Sequence, residues 1–293
     1  MGDGRGPGGC IYCPPSAARA PYLEPVALGD SASGAAGLPP IAVQARAALG
    51  FARRRYGAKL FFPYFQAFSS TYAPVEVLEA RYGEAIAAVE EALPGSVRGL
   101  VVSTRPDCVD AAIADLLESY ADRGLEVWVE LGLQSGVDAT LARIRRGHTV
   151  ADFIAACRLL ARPGIRVAAH LILGLPFEDR AAMLEGPRIV ADLGLAGVKF
   201  HDLHVPRGSA LAAEYLSGEI ALLSMDSYLG ILADAVELLD PSTEILRLGT
   251  DTPPARRIAP RHAFDKRLLY ERLEGLLETR GTRQGSARAG HRP

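Results

Sequence analysis

At 293 residues, about half of them apolar and with a net charge of −2, the chain is long enough to bury a sizeable core as one large domain or two ordinary ones, which argues against global disorder. Its longest apolar runs are about nine residues, AAHLILGLP being typical, well short of a membrane span, and no basic segment followed by an apolar run marks a signal peptide. Four cysteines at irregular spacing do not make a secreted disulfide framework, so a cytoplasmic protein with reduced thiols is expected.

The chain opens on GGCIYCPP, Gly8 to Pro15, which sets Cys10 and Cys13 apart by two residues. Two such thiolates can bind zinc, but four ligands are normal and no second CxxC or HxxxH follows. A thioredoxin-like pair would open a helix after a strand, which the Pro-Pro after Cys13 fits poorly. An iron–sulfur cluster is the third reading and two incidental cysteines the fourth. Pro14 to Pro40 is rich in Pro, Gly, Ala and Ser without periodicity, so it reads as a long loop.

After the loop one pattern repeats. The runs KLFFPYFQAF, GLVVSTRPD, EVWVELGLQS, VAAHLILGLP and GVKFHDLHV read as strands, and helices are predicted over Val75–Leu93, Val109–Arg123, Val137–Arg145, Val150–Arg162 and Arg180–Leu193. Alternating strands and helices imply right-handed βαβ units and a parallel sheet. Polar content favours a barrel over an open sheet. In EVWVELGLQS, Trp128, Glu130, Gly132 and Gln134 share one face and Val127, Val129, Leu131 and Leu133 the other. A central strand of an open sheet is covered on both faces and should be apolar on both, whereas a barrel strand can turn polar groups inward near its C-terminal mouth. His170 and Gly174 repeat the pattern, and Lys199 and His201 share a face. From Asp251 onward ten Lys/Arg stand against five Asp/Glu, so this tail carries about +5 and the rest about −7. Arg256, Arg257, Arg261, Lys266 and Arg267 could meet RNA phosphates, or the tail is a solvated terminal helix. The expected organisation is a barrel over 1–250, including the 14–40 loop, and a basic C-terminal extension over 251–293.

CIYC is similar to part of the radical S-adenosylmethionine (SAM) signature, in which an aromatic residue precedes the last cysteine. With YFQAFSSTYAPVEVL, TRPDC, VELGLQS, RIRRGH, HLILGLP and VKFHDLH in that order, the chain resembles the bacterial YhcC/YtqA-type radical SAM family, related to the catalytic subunit of Elongator, from about Gly8 to the RQGS near Gln284. The resemblance implies a partial (β/α) TIM-like barrel with a helical C-terminal extension. It also implies a 4Fe–4S cluster on three cysteines and reductive cleavage of SAM to methionine and a 5′-deoxyadenosyl radical that abstracts hydrogen from substrate. The cofactor carries that chemistry while the protein orients it. Kinship with Elongator points to a tRNA wobble-uridine side chain as substrate, and a reductant such as flavodoxin or ferredoxin is implied.

Carried onto this sequence, the resemblance makes Cys10 and Cys13 cluster ligands and sends Glu130 and Gln134 to SAM. Arg146 would pair with the methionine carboxylate, which suits a guanidinium. His170 takes the place of a ribose-binding residue, Gly174 belongs to a GLP turn that lets backbone approach adenine, and Gln66 and Ser69 follow the strand that serves the methionine amino group. Asp107, Cys108, Lys199, His201, His204 and Arg207 are the candidate substrate contacts. Each has a plainer reading: Glu130 as partner of a structural arginine, Arg146 as one of a solvated cluster with Arg143 and Arg145, His170 as hydrogen-bonded scaffold, Asp107 and Cys108 as braces of a strand–helix junction, and Cys157 as core.

One feature departs from the family. MGDGRGPGGC aligns Asp3-Gly4 with the end of a CPNRDG-like motif, so the first cluster cysteine and first barrel strand would fall before Met1. A start assigned too late is the favoured explanation; loss of the chemistry, leaving an inactive barrel that binds RNA or a protein, is the other. A zinc-dependent barrel hydrolase would need further ligands beside Cys10 and Cys13.

Overall fold

The computed structural model describes residues 9–13, 39–66, 68–250, 252–260 and 265–288. Asp3-Gly4, most of the proline-rich stretch and Arg261 lie outside them. Helix α1 (Ile41–Tyr56) comes first, followed by β1 (Tyr64–Phe65), α2 (Val75–Ala92), β2 (Gly99–Thr104), α3 (Ala111–Asp122), β3 (Glu126–Gln134), α4 (Asp138–Arg143), α5 (Val150–Leu159), β4 (Ile165–Leu173), α6 (Arg180–Asp192) and β5 (Gly197–Asp202). The expected strands and helices between 59 and 205 are thus present with trimmed ends. Asp110 starts α3 by accepting the Ile113 N–H, and Thr149 and Asp152 form a reciprocal capping box on α5. The chain continues through β6 (Val205–Pro206), α7 (Ala210–Leu216), α8 (Met225–Leu238), β7 (Glu244–Arg247), β8 (Arg257–Ala259) and α9 (Lys266–Arg280).

Among the described residues six strands form one parallel sheet in the order β1-β2-β3-β4-β5-β7, and β6 pairs antiparallel with β8. Sequential order puts the crossover helices on one side, and the valines and leucines of that face enter the main core: Val127, Val129, Leu131 and Leu133 of β3, Val167, Leu171 and Leu173 of β4, Val198 and Phe200 of β5. The sheet is curled. Tyr64 on β1 and Lys199 on β5 are four strand spacings apart, about 19 Å in a flat sheet. Yet the Lys199 Nζ lies 3.4 Å from the Tyr64 hydroxyl. Only an arc that turns the polar face inward allows this, which makes the sheet a partial barrel.

Helix α1, which periodicity alone did not reveal, packs on α2 and buries only Leu49. Its apolar stripe is too narrow to stand out. The C-terminal α9 buries Leu269 and Leu273 in the main core, and Gln284 donates to the Asp240 and Thr243 carbonyls at 2.6 and 2.8 Å. Of the tail's basic residues, Arg257 is not surface: it is 5 % exposed and donates to the Thr252 carbonyl, since β8 turns it inward against the barrel. Cys157 is core, its thiol pushed up to about 12 by burial.

Candidate active site

The C-terminal ends of the parallel strands open onto a mouth where Cys10 and Cys13 dock. Between them Ile11 is 2 % exposed and sits in a small apolar cluster with Ile144, Ile172, Leu203 and Leu211. Its N–H donates to the Ile144 carbonyl at 3.1 Å, its carbonyl accepts from the Leu211 N–H at 2.9 Å, and the Cys13 N–H closes a turn on the Cys10 carbonyl at 3.0 Å. One buried side chain and three backbone bonds thus fix the pair, leaving Cys10 half-buried and Cys13 exposed.

Arg146 joins the pair to the sheet. Its Nη1 is 3.6 Å from the Cys10 Sγ, and its Nε and Nη2 donate to the Gly132 carbonyl at 3.2 and 3.0 Å. Gly132 is required there: a Cβ would stand 2.2 Å from the Arg146 Nη2 and 2.4 Å from the Gln134 Nε2. The β3–β4 register slips between Leu131 and Gln134, and Gln134 takes φ +73°, so a bulge re-aims the end of β3 toward the guanidinium. The loop bearing Arg146 is braced from β2. Arg105 grips Asp107 with two hydrogen bonds, 2.9 and 2.6 Å, and packs against Gly147 so closely that a Cβ there would meet its guanidinium at 2.8 Å.

A second cluster lines the barrel interior. The Glu130 carboxylate, 3 % exposed, accepts from the Tyr64 hydroxyl, from Lys199 and, at 2.9 Å, pairs with His170 Nε2. Burial alone would raise its pKa, but hydrogen bonding and charge from His170 and Lys199 outweigh that and hold it at about 2. Burial pushes the Lys199 and His170 pKa values down, and burial with the Glu130 charge pushes the Tyr64 phenol up. The His201 ring lies 5.6 Å from that of His170, and its buried Nε2 has no hydrogen-bond partner among the described residues.

Two groups of sequence-chosen residues are therefore brought together: Cys10, Arg146 and Gln134 at the mouth, and Glu130, His170, Lys199 and His201 in the interior. Gln66 is exposed just past β1, and the half-buried Ser69 accepts the Tyr72 N–H at 3.0 Å through its carbonyl. Gly174 has φ +91°, with Leu223 filling the space a Cβ would need. Asp107 and Cys108 line a cavity of about 550 Å³ with Thr71 and Tyr72 at the starts of α2 and α3. His204 bonds Thr252 at 2.9 Å and Arg207 donates to the Ala255 carbonyl at 3.1 Å, both tied to the segment around β8 rather than to the interior cluster. Tyr64, Gly132, Arg105 and Ile11 were not singled out from the sequence. Tyr64 had a usable signal, two residues before Gln66 and so on the same strand face.

Among the described residues no group of three or more His, Cys, Asp or Glu side chains could hold a metal ion. Cys10 and Cys13 share one turn and would supply two of the three thiolates that a 4Fe–4S cluster takes; among the described residues no third stands with them. The Radical SAM superfamily family matches residues 5–185, and the Radical_SAM C-terminal domain matches residues 195–278. The chain belongs to the radical SAM superfamily. It is 36 % identical to the protein YtqA of Bacillus subtilis over 77 % of this chain and 68 % of that one. A tRNA uridine(34) acetyltransferase of Dehalococcoides mccartyi is 31 % identical over 53 % of this chain and 34 % of its own. Among solved structures, the Elp3 of the archaeon Methanocaldococcus infernus, with an N-terminal deletion, superposes with a TM-score of 0.69 at 22 % identity over 84 % of this chain. The chain spans 60 % of that structure. Radical SAM proteins use a 4Fe–4S cluster and SAM, and reductive cleavage of SAM is general to the superfamily. Among the described residues no helix is long and apolar enough to cross a membrane.

Proposed function

We propose that this chain is a radical SAM enzyme that modifies a uridine side chain of tRNA at the mouth of its partial barrel. The observation that carries the reading is the Cys10–Arg146–Gly132 link, which fastens a CxxC turn to the bulged end of β3 where polar groups of several strands converge. Cys10 and Cys13 would hold two corners of a 4Fe–4S cluster; when bound, the cluster supplies the electron for SAM cleavage. Arg146 and Gln134 would orient SAM, and the left-handed turn at Gly174 would present backbone to its adenine. In the interior, Glu130 and His170 would reach SAM, with Tyr64 holding the Glu130 carboxylate, and Lys199 beside them would face the substrate. The tRNA part is supported by the uridine(34) acetyltransferase named among the relatives and by likeness to Elp3, and a one-electron reductant is the implied partner.

Anaerobic reconstitution with iron and sulfide tests the chemistry. The expected result is a bound cluster whose low-temperature EPR signal, after reduction, changes on adding SAM, with iron lost in Cys10→Ala. No retained iron and no SAM response in the unaltered chain would overturn it. The rival reading is a barrel that binds RNA without chemistry, which predicts neither retained iron nor a SAM response. Nucleoside mass spectrometry of tRNA from cells lacking the gene tests the substrate: loss of a modified uridine is expected, and an unchanged profile overturns the tRNA assignment.

A further inference from the structure

Two phenylalanines at the barrel mouth are costly by any folding criterion. Phe68 and Phe177 hold φ at +61° and +69°, a left-handed backbone that bulky side chains rarely adopt, and their rings are 58 % and 76 % exposed. Strain without burial gains nothing for the fold, and such strain persists where a site needs it. Topology sets both on one rim: Phe68 follows the C-terminal end of β1 and Phe177 that of β4. Tyr72, 62 % exposed, shares the loop of Phe68.

The Phe177 ring is already a stacking surface. The Arg143 guanidinium lies 5.3 Å from its centroid, and Arg143 is anchored by Glu214 at 2.6 Å, so ring and cation are ordered before any ligand arrives. Exposed Arg145 stands two residues on, and exposed Arg207 follows β6. The nearby acids are engaged: Glu214 with Arg143, Glu178 with Ser135, and Asp179 capping α6.

We propose that this rim is a stacking platform for unpaired bases of single-stranded RNA, with Phe177 as the primary contact and Phe68 as the second. The inference rests on the RNA reading above and adds how the RNA is held. Exposed rings beside guanidinium groups suit base stacking and phosphate contact. Paired bases present no free face, so a duplex should not engage the rings.

The test is fluorescence anisotropy with a labelled hairpin RNA bearing an unpaired loop, against a fully paired duplex of equal length, across a salt series. The hairpin should bind more tightly than the duplex. Phe177→Asn should weaken hairpin binding about tenfold without altering the salt slope, and Phe177→Trp should retain it. Arg145→Ala should instead reduce the salt slope. Asn tolerates left-handed backbone, so Phe177→Asn should melt at the same temperature as the parent or higher, which separates lost binding from lost fold. Equal binding by parent and Phe177→Asn, or equal binding of hairpin and duplex, overturns the platform while leaving RNA as a partner. No binding of either RNA overturns both this inference and the tRNA reading; the iron and EPR measurements still decide the SAM chemistry.

Discussion

Glu130 has three protein partners and almost no water. With Tyr64, His170 and Lys199 on its oxygens, it is the hub of the interior cluster. Removing a cation from a buried pair leaves an uncompensated charge, so Lys199→Met should destabilise the fold by about 3–5 kcal/mol in urea unfolding. Adding Glu130→Gln to that variant should recover part of the loss, because the orphaned charge is then gone. At the mouth the expectations differ. Cys13 is exposed, so Cys13→Ala should leave the melting temperature of the iron-free protein unchanged while lowering the iron taken up on reconstitution. The sequence singled out both cysteines, Glu130, Arg146, His170 and Lys199, but neither Ile11, which seats the cysteine turn, nor Tyr64, which donates to Glu130. Ile11 looks like filler between cysteines until its burial is seen, and Tyr64 hides in an aromatic run.

The elements show why strand ends were harder to read than strand faces. KLFFPYFQAF reads as one strand, yet only Tyr64–Phe65 pairs with β2 and Phe61 makes an isolated bridge to Val97. Pro63 lies between them without an N–H to give the ladder. The alternation of β3 was legible because each side of a barrel strand meets one environment; its bulge was not, because it depends on the neighbouring strand. Gly132 tests that bulge. In Gly132→Ala the new methyl meets first the tips of Arg146 and Gln134, which can swing aside, so the fold should survive with its melting temperature little changed. The Arg146 guanidinium should leave the Gly132 carbonyl, and SAM binding measured by calorimetry should weaken. SAM affinity equal to that of the parent would show that this contact does not position the site.

For the whole molecule, stability should fall on the acid side. Glu130 is held at about 2 against an ordinary 4.5, so its contribution is present above 4.5 and is lost as pH falls toward 2. His148 is pushed down to about 3, by burial first and then by the Arg146 charge, against an ordinary 6.5. Its unfolded form therefore binds a proton that the fold excludes, and stability declines as pH falls from 6.5 toward 3. Both effects have the same sign. The melting temperature should be level near pH 7 to 8, decline below about 6.5 and drop more steeply below about 4.5. His148→Gln should remove the upper part of that decline. Helix α9 unfolds with the rest by this reasoning, since Leu269 and Leu273 share the main core.

Period-2 alternation, helix caps and the order of short motifs lie within a few residues of chain, and so the sequence by itself determined the βα repeat, the inward polar face, the superfamily and the two thiols. What only the tertiary structure decided lies between residues far apart. The Lys199–Tyr64 contact spans 135 positions and the Arg146–Cys10 contact 136. Neither has a local signature: the first exists only once the sheet curls and brings its first and fifth strands face to face, the second only once the Cys10 turn docks on Ile144 and Leu211. The same curl places Phe68 and Phe177 on one rim, where each looks like an ordinary loop residue in the sequence.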